Sequence, residues 1–184
     1  GLPIVKCLVE RKLVNLRKGE DGYTAAHKAA FRWNPGALEI FLNADPSLCF
    51  EKSKNGATPL IRLAMNNIRF KINDSVRCVH LMLSKCNANV NAAARGLNGW
   101  NALHFAVDRG NYKLVDFLVQ QRGIVLDAYD VAGKTPLMYS MLQEKINIAR
   151  LLLQKGKANP NLHQKGPNGK EMGNCVEIVA HMGN

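Results

Sequence analysis

Apolar side chains recur at helical spacing in four places along the chain. They are Leu38, Ile40, Phe41 and Leu42; Val79, Leu81, Met82 and Leu83; Leu114, Val115, Phe117 and Leu118; and Ile148, Ala149, Leu151, Leu152 and Leu153. At 3.6 residues per turn, such positions share one face, so each stretch predicts a helix with a broad buried stripe. A shorter segment precedes each stripe. These are Gly22-Tyr23-Thr24-Ala25-Ala26-His27, Gly56-Ala57-Thr58-Pro59-Leu60-Ile61, Gly99-Trp100-Asn101-Ala102-Leu103-His104 and Gly133-Lys134-Thr135-Pro136-Leu137-Met138. In Thr58-Pro59 and Thr135-Pro136 a hydroxyl at the N-cap satisfies an orphan N–H, and Pro at the first helical position has none to lose. The leading Gly permits a positive φ in the turn before the cap. Each unit therefore reads as turn, short helix, longer helix. Units close on small and turn residues such as Asn87-Ala88-Asn89 and Asn159-Pro160-Asn161.

The leading glycines stand 34, 43 and 34 residues apart, and a fainter start at Asn168-Gly169-Lys170 follows 36 later. A period near 33 carrying T-P-L-H-x-A resembles the ankyrin repeat. The fullest copy runs Asn101-Ala102-Leu103-His104-Phe105-Ala106-Val107-Asp108-Arg109-Gly110. The resemblance covers residues 20–165. It implies an all-α solenoid of stacked helix-turn-helix units with protruding turns. Repeats are expected at 20–53, 54–96, 97–130 and 131–166, with a partial repeat at 1–19 and a degenerate cap at 167–184. Residues 3–16 read as the second helix of the partial repeat. In the cap, Glu171-Met172-Gly173-Asn174 stands where T-P-L-H falls, and terminal repeats are commonly atypical. In this family the motif's His braces neighbouring loops. His27 and His104 hold that place, while Ile61 and Met138 replace it. The 43-residue unit carries about nine extra residues, which fall between its helices around 66–75.

Composition adds charge to this picture. The 184 residues carry a formal charge of +11, with 15 basic and 7 acidic side chains in residues 1–95 against 10 and 7 in the remainder. A basic half suits nucleic acid, an anionic membrane surface or an acidic protein. No window of 18 uncharged apolar residues offers a membrane span. No signal peptide opens the chain, and the missing initiator Met suggests a piece of a longer protein. Five cysteines, Cys7, Cys49, Cys78, Cys86 and Cys175, form no C-x-x-C pair and match neither a disulfide scaffold nor a zinc module. Cys78 and His80 sit in an apolar helical run. A reducing compartment, cytosol or nucleus, is the expectation.

The chain does not read as an enzyme. Ala132-Gly133-Lys134-Thr135 resembles the end of a phosphate-binding loop, but Ala128 stands where the first Gly is required. No G-x-S-x-G or H-E-x-x-H motif appears. No cofactor or metal is expected. What remains is a surface. In an ankyrin stack the first helices and turn tips build a concave face. The register places Tyr23, Lys28, Phe31, Arg32, Arg62, Met65, Trp100, Phe105, Asp108, Arg109, Tyr139 and Leu142 there as exposed candidates. Aromatic residues and Arg dominate interface hot spots. The insertion residues Ile68, Arg69, Phe70 and Lys71 form a second candidate element, because insertions in solenoids are often functional. The expected function is binding a protein segment of acidic or mixed character. Ala102–Asp108, with the irregular connections between repeats, also resembles the inhibitor-of-NF-κB branch, whose members bind Rel-type transcription factors. The alternatives are a host-targeting effector, or binding of nucleic acid or an anionic surface through Arg11, Lys12, Arg17, Lys18, Lys52, Lys54, Arg69 and Lys71.

Overall fold

The computed structural model describes residues 1–17, 19–66, 71–166 and 169–182. Ten helices follow one another among the described residues: α1 (Leu2–Glu10), α2 (Ala25–Phe31), α3 (Pro35–Ala44), α4 (Pro59–Ala64), α5 (Ile72–Cys86), α6 (Ala102–Asp108), α7 (Tyr112–Val119), α8 (Pro136–Leu142), α9 (Ile146–Leu151) and α10 (Cys175–Met182). Two short antiparallel hairpins project between them. One pairs β1 (Ala93–Ala94) with β2 (Trp100–Asn101), the other β3 (His163–Lys165) with β4 (Glu171–Asn174).

The helices stack in two rows. α2, α4, α6, α8 and α10 pack in succession, as do α1, α3, α5, α7 and α9, and within each repeat the first helix packs on the second. The periodic stripes face inward between the rows. Leu38, Leu42, Val79, Met82, Leu114, Leu118, Ile148 and Leu152 are buried against Leu60, Leu63, Leu103, Val107 and Leu137 of the first helices. Leu153 alone of the predicted stripes is exposed. Each fully buried Leu or Val contributes about 1.5–3 kcal/mol, and each repeat shares its core only with its neighbours.

The caps set where the first helices begin. Thr24, Thr58, Asn101 and Thr135 each accept an N–H from the third helical residue, at 3.4, 3.3, 3.0 and 3.3 Å. The two histidines close these caps and reach across repeats. Nδ1 of His27 accepts the Thr24 N–H at 3.2 Å, while Nε2 meets the Ala57 carbonyl of the next repeat at 2.9 Å. His104 holds the equivalent place, with Nδ1 2.8 Å from the Asn101 side-chain oxygen and Nε2 3.4 Å from Lys134 O. Met138 keeps half of the device, since its sulfur accepts the Thr135 N–H at 3.4 Å. Ile61 has no polar atom to contribute.

The His27 contacts fit a neutral ring, with Nδ1 accepting and Nε2–H donating, whereas His104 Nδ1 lies 2.8 Å from the Asn101 side-chain oxygen, to which its N–H donates. Burial pushes the His104 pKa below its ordinary value of 6.5, against smaller opposing pulls from the Lys134 carbonyl and Asp130. Below pH 6.5 the unfolded chain therefore takes up a proton that the native state refuses, and stability falls as pH falls toward the native value. Replacing His104 with Gln should flatten that slope. The check is a pair of urea titrations at pH 7.5 and 5.5 on both proteins. Equal pH dependence in wild type and His104→Gln would remove the linkage.

The structure corrects the sequence reading at three places. The first helix ends at Glu10, with Lys12 left-handed at φ 55°, and does not continue to residue 16; Leu13 lies exposed. The insertion is partly spent on helix. α5 begins at Ile72 and runs for 15 residues against 10 in α3 and 8 in α7, so residues 72–75 are its first turn. The last cap is shifted by three residues. Gly169 makes the positive-φ turn that the sequence places there, but Glu171–Asn174 is a strand. Asn174 is the N-cap: it accepts the N–H groups of Val176 and Glu177 at 3.0 and 3.1 Å, and the Glu177 carboxylate accepts the Asn174 N–H at 3.1 Å. That reciprocal pairing is a capping box, so T-P-L-H corresponds to Asn174-Cys175-Val176-Glu177.

Candidate functional site

Counting from the four caps places the candidates in columns. Four residues after the cap stand Lys28, Arg62, Phe105 and Tyr139. Seven after stand Phe31, Met65, Asp108 and Leu142, and eight after stand Arg32, Asn66, Arg109 and Gln143. Positions four, seven and eight share one helical face. This face of α2, α4, α6 and α8 points away from the second-helix row, and the residue before each cap (Tyr23, Ala57, Trp100 and Lys134) borders it from the turns.

Over α2 and α4 the face is cationic. Lys28 and Arg32 are exposed, and Arg62 is half-buried. The Arg62 guanidinium carbon lies 4.6 Å from the Tyr23 ring centroid and 3.9 Å from that of Phe31, so two aromatic rings from the preceding repeat hold it. Ring faces carry negative charge density, and such contacts are worth about 0.5–2 kcal/mol each. Asn66 ties the same region together, because its side-chain N–H donates to the Phe31 carbonyl.

Over α6 and α8 the face is aromatic and built around one carboxylate. Trp100 meets Phe105 and Tyr139 edge-on, each at 4.9 Å between ring centroids, and stacks on His104 at 6.1 Å. Asp130 is buried beneath them. It accepts the Trp100 indole N–H at 2.9 Å, the Tyr139 hydroxyl at 2.7 Å and the Lys134 backbone N–H at 2.8 Å. Burial, followed by its hydrogen bond to the Asp130 carboxylate, pushes the Tyr139 hydroxyl well above its ordinary pKa of 10, so it stays a donor at neutral pH. Next to this platform the charges are already used. Arg109 Nε pairs with Asp108 at 3.5 Å, and Gln143 donates to Asp108 at 2.9 Å. The Lys145 ammonium donates to the Val107 carbonyl at 2.9 Å and to those of Asp108 and the Gln143 side chain.

Of the candidates expected to be exposed, Lys28, Arg32 and Arg109 are, while Tyr23, Phe31, Arg62, Met65, Trp100, Asp108, Tyr139 and Leu142 are half-buried. Phe105 is a correction. Only 6% exposed, it is a core residue roofed by Trp100. The turn residue Ala57 is likewise buried. Ile68, Arg69 and Phe70 lie outside the described residues, as does Lys18, while Lys71 is exposed just before α5. Sequence reading missed Asp130. Its place three residues before Gly133 is visible as a turn signal, for Ser53 has the same place before Gly56 and its Oγ likewise accepts the N–H four residues on, at 3.1 Å. The links to Trp100 and Tyr139 leave no local trace.

Other chemistry singled out in the sequence has structural work. Thr135 caps α8 and Gly133 forms a turn, which accounts for the phosphate-loop resemblance. Cys78 is buried while His80 points to solvent from the same helix. Burial pushes the Cys78 thiol up to about 12, and that of Cys49 higher still, aided by its hydrogen bond with Cys86. Such thiols are poor nucleophiles. The described basic residues proposed for nucleic acid lie on several elements. Arg11 and Lys12 follow α1, Lys52 and Lys54 lie between α3 and α4, and Arg17 is paired with Asp45 at 2.8 Å and Glu51 at 3.5 Å. No described helix is long and apolar enough to cross a membrane.

Compared with known proteins, residues 68–164 match the family model for ankyrin repeats in three copies. The chain is 29% identical over 139 residues to SH3 and multiple ankyrin repeat domains protein 2 of Homo sapiens, covering 76% of this chain and 7% of that protein. It is 35% identical over 89 residues to the B-cell lymphoma 3 protein homolog of Mus musculus, covering 47% and 19%. Inversin of Gallus gallus is 30% identical over 139 residues, covering 76% and 12%. The chain thus spans less than a fifth of the length of each of these relatives.

Proposed function

Because the chain belongs to the ankyrin-repeat family, and so is a protein–protein interaction module, we propose that it holds a segment of a partner protein on the first-helix face. The observation that carries this reading is the platform of Trp100 and Tyr139 locked by Asp130. Rings fixed before binding lose little rotamer freedom on contact, and half-buried Trp, Tyr and Arg are the side chains that anchor interfaces. Binding here rests on shape and fixed aromatic surface rather than on bond chemistry. The odd cysteine count supports a cytosolic or nuclear setting.

The test compares wild type with Trp100→Ala/Arg109→Ala, with Arg150→Ala on α9 as a surface control. Proteins retained by the wild type and by the control should be lost from the double variant, since removing a hot-spot Trp alone costs about 2 kcal/mol or more, roughly 30-fold in affinity. An unchanged retained set means that the face is wrongly assigned.

A finer reading follows from Ala102–Asp108, whose resemblance to the inhibitor-of-NF-κB branch implies regulation of a transcription factor. Titration with a Rel-type DNA-binding domain decides it: no binding at micromolar concentration removes this reading and leaves the interaction face standing.

A further inference from the structure

The proposed face has two unlike halves, and the difference lies in which cations are free. Among the described residues, ion pairs form at Lys6, Arg17, Arg77, Lys85, Arg109 and Lys155, but not at Lys28, Arg32 or Arg62. These last three sit together on α2 and α4. On α6 and α8 the corresponding cations are occupied. Arg109 faces Asp108, and Lys145 at the start of α9 caps backbone carbonyls.

Arg62 is the best-prepared group among them. Its guanidinium carbon lies over both the Tyr23 and the Phe31 ring, so its long side chain has little freedom left to lose. A planar donor fork of this kind matches the two oxygens of a carboxylate. Lys28 on α2 and Arg32 at its C-terminal cap, one turn apart, add charge without forming an ion pair among the described residues. Further along the same row, Trp100 and Tyr139 offer apolar area, with the Lys134 ammonium 5.9 Å from the Tyr139 ring centroid.

We propose that the face reads polarity along a linear peptide: Asp or Glu side chains lie over Arg62, Lys28 and Arg32, and apolar side chains lie over Trp100 and Tyr139. This rests on the interaction reading above and names the partner's chemistry, an extended acidic–apolar segment. Neighbouring helices in a row lie about 8–10 Å apart, so the two anchors are about 10–20 Å apart. At about 3.3 Å per residue, this separates the acidic from the apolar anchor by about three to six residues.

The experiment uses a displayed library of random dodecapeptides selected on the immobilised chain. The recovered peptides should pair Asp or Glu with an aromatic or aliphatic residue at that spacing. Fluorescence anisotropy on one synthetic winner then gives a cycle. Arg62→Met keeps an apolar stem between the rings and so keeps the fold, which circular dichroism checks. It should weaken binding about tenfold, and so should changing the peptide Glu to Gln. The two together should cost little more than either alone, which is the mark of a direct pair. Trp100→Ala should weaken binding whether or not that Glu is present. Winners that depend on Trp100 but carry no acidic bias, or ignore Arg62→Met, overturn the polarity and leave the interaction face intact. No winners, or winners indifferent to both residues, overturn both.

Discussion

Trp33→Ala is expected to lower the unfolding free energy by about 4 kcal/mol, the range for emptying a large aromatic site in a core. Trp33 follows α2 in a left-handed conformation, φ 49°, and its side chain is 1% exposed. The indole lies between the first two full repeats. Its N–H donates to the Leu63 carbonyl at 3.0 Å, near the end of α4, which also accepts the Asn66 N–H at 3.2 Å. Truncation leaves a void between these two repeats. The interface term of the solenoid is lost along with the buried area. Trp33→Phe separates the two parts. It keeps most of the ring volume and loses the hydrogen bond, at about 1–2 kcal/mol. Urea unfolding followed by circular dichroism measures both, while Trp100 fluorescence reports on the later repeats. A loss below about 1 kcal/mol for Trp33→Ala would show that the indole does not couple the repeats.

Gly133→Ala should cost about 3 kcal/mol and act at one end of the molecule. Gly133 has φ +69°, where an L side chain is strained. A Cβ there would also collide with the backbone of Lys165, whose carbonyl it overlaps and whose nitrogen lies 2.6 Å away. The approach is close because Lys165 N–H donates to the Gly133 carbonyl at 3.0 Å, joining the β3–β4 hairpin to the preceding turn. Gly123 provides the control. Its φ is +76°, yet nothing lies within 4 Å of its Cβ position. Gly123→Ala should therefore cost only the conformational penalty, about 1 kcal/mol. Thermal melts give the difference, and hydrogen exchange should show lost protection at residues 163–174 in Gly133→Ala alone. Equal melting temperatures for the two variants would mean that the hairpin contact contributes nothing.

These two sites also show how far the sequence can be read. Gly133 was legible as a turn, because Gly two residues before a Thr-Pro cap is a local signal. Its crowding by Lys165 was not, since that neighbour lies a whole repeat away. The same division runs through the face. Counting from the caps at Thr24, Thr58, Asn101 and Thr135 found the right columns, because helical periodicity needs only local spacing. The depth of each side chain in its column is another matter. Phe105 and Tyr139 occupy equivalent positions, yet Phe105 is buried, because Trp100 from its own turn folds over it. Asp130 was invisible as a site residue, since its two side-chain donors stand 30 positions before it and 9 after. Asn174 was misread for a nearer reason. Three extra residues in the last hairpin separate the turn glycine from the cap, so a fixed spacing misplaces it.

The sequence by itself determined the repeat, the order of short and long helices, the caps and the braces at His27 and His104. All of these depend on hydrogen bonds and periodicities within a dozen residues, or on a repeat that supplies its own neighbour. Packing between repeats decided the rest: which aromatics stay half-exposed, which carboxylate holds them, and which of the described cations form ion pairs. Those outcomes depend on distances between side chains about thirty residues apart. A linear pattern holds no record of them until the helices have stacked.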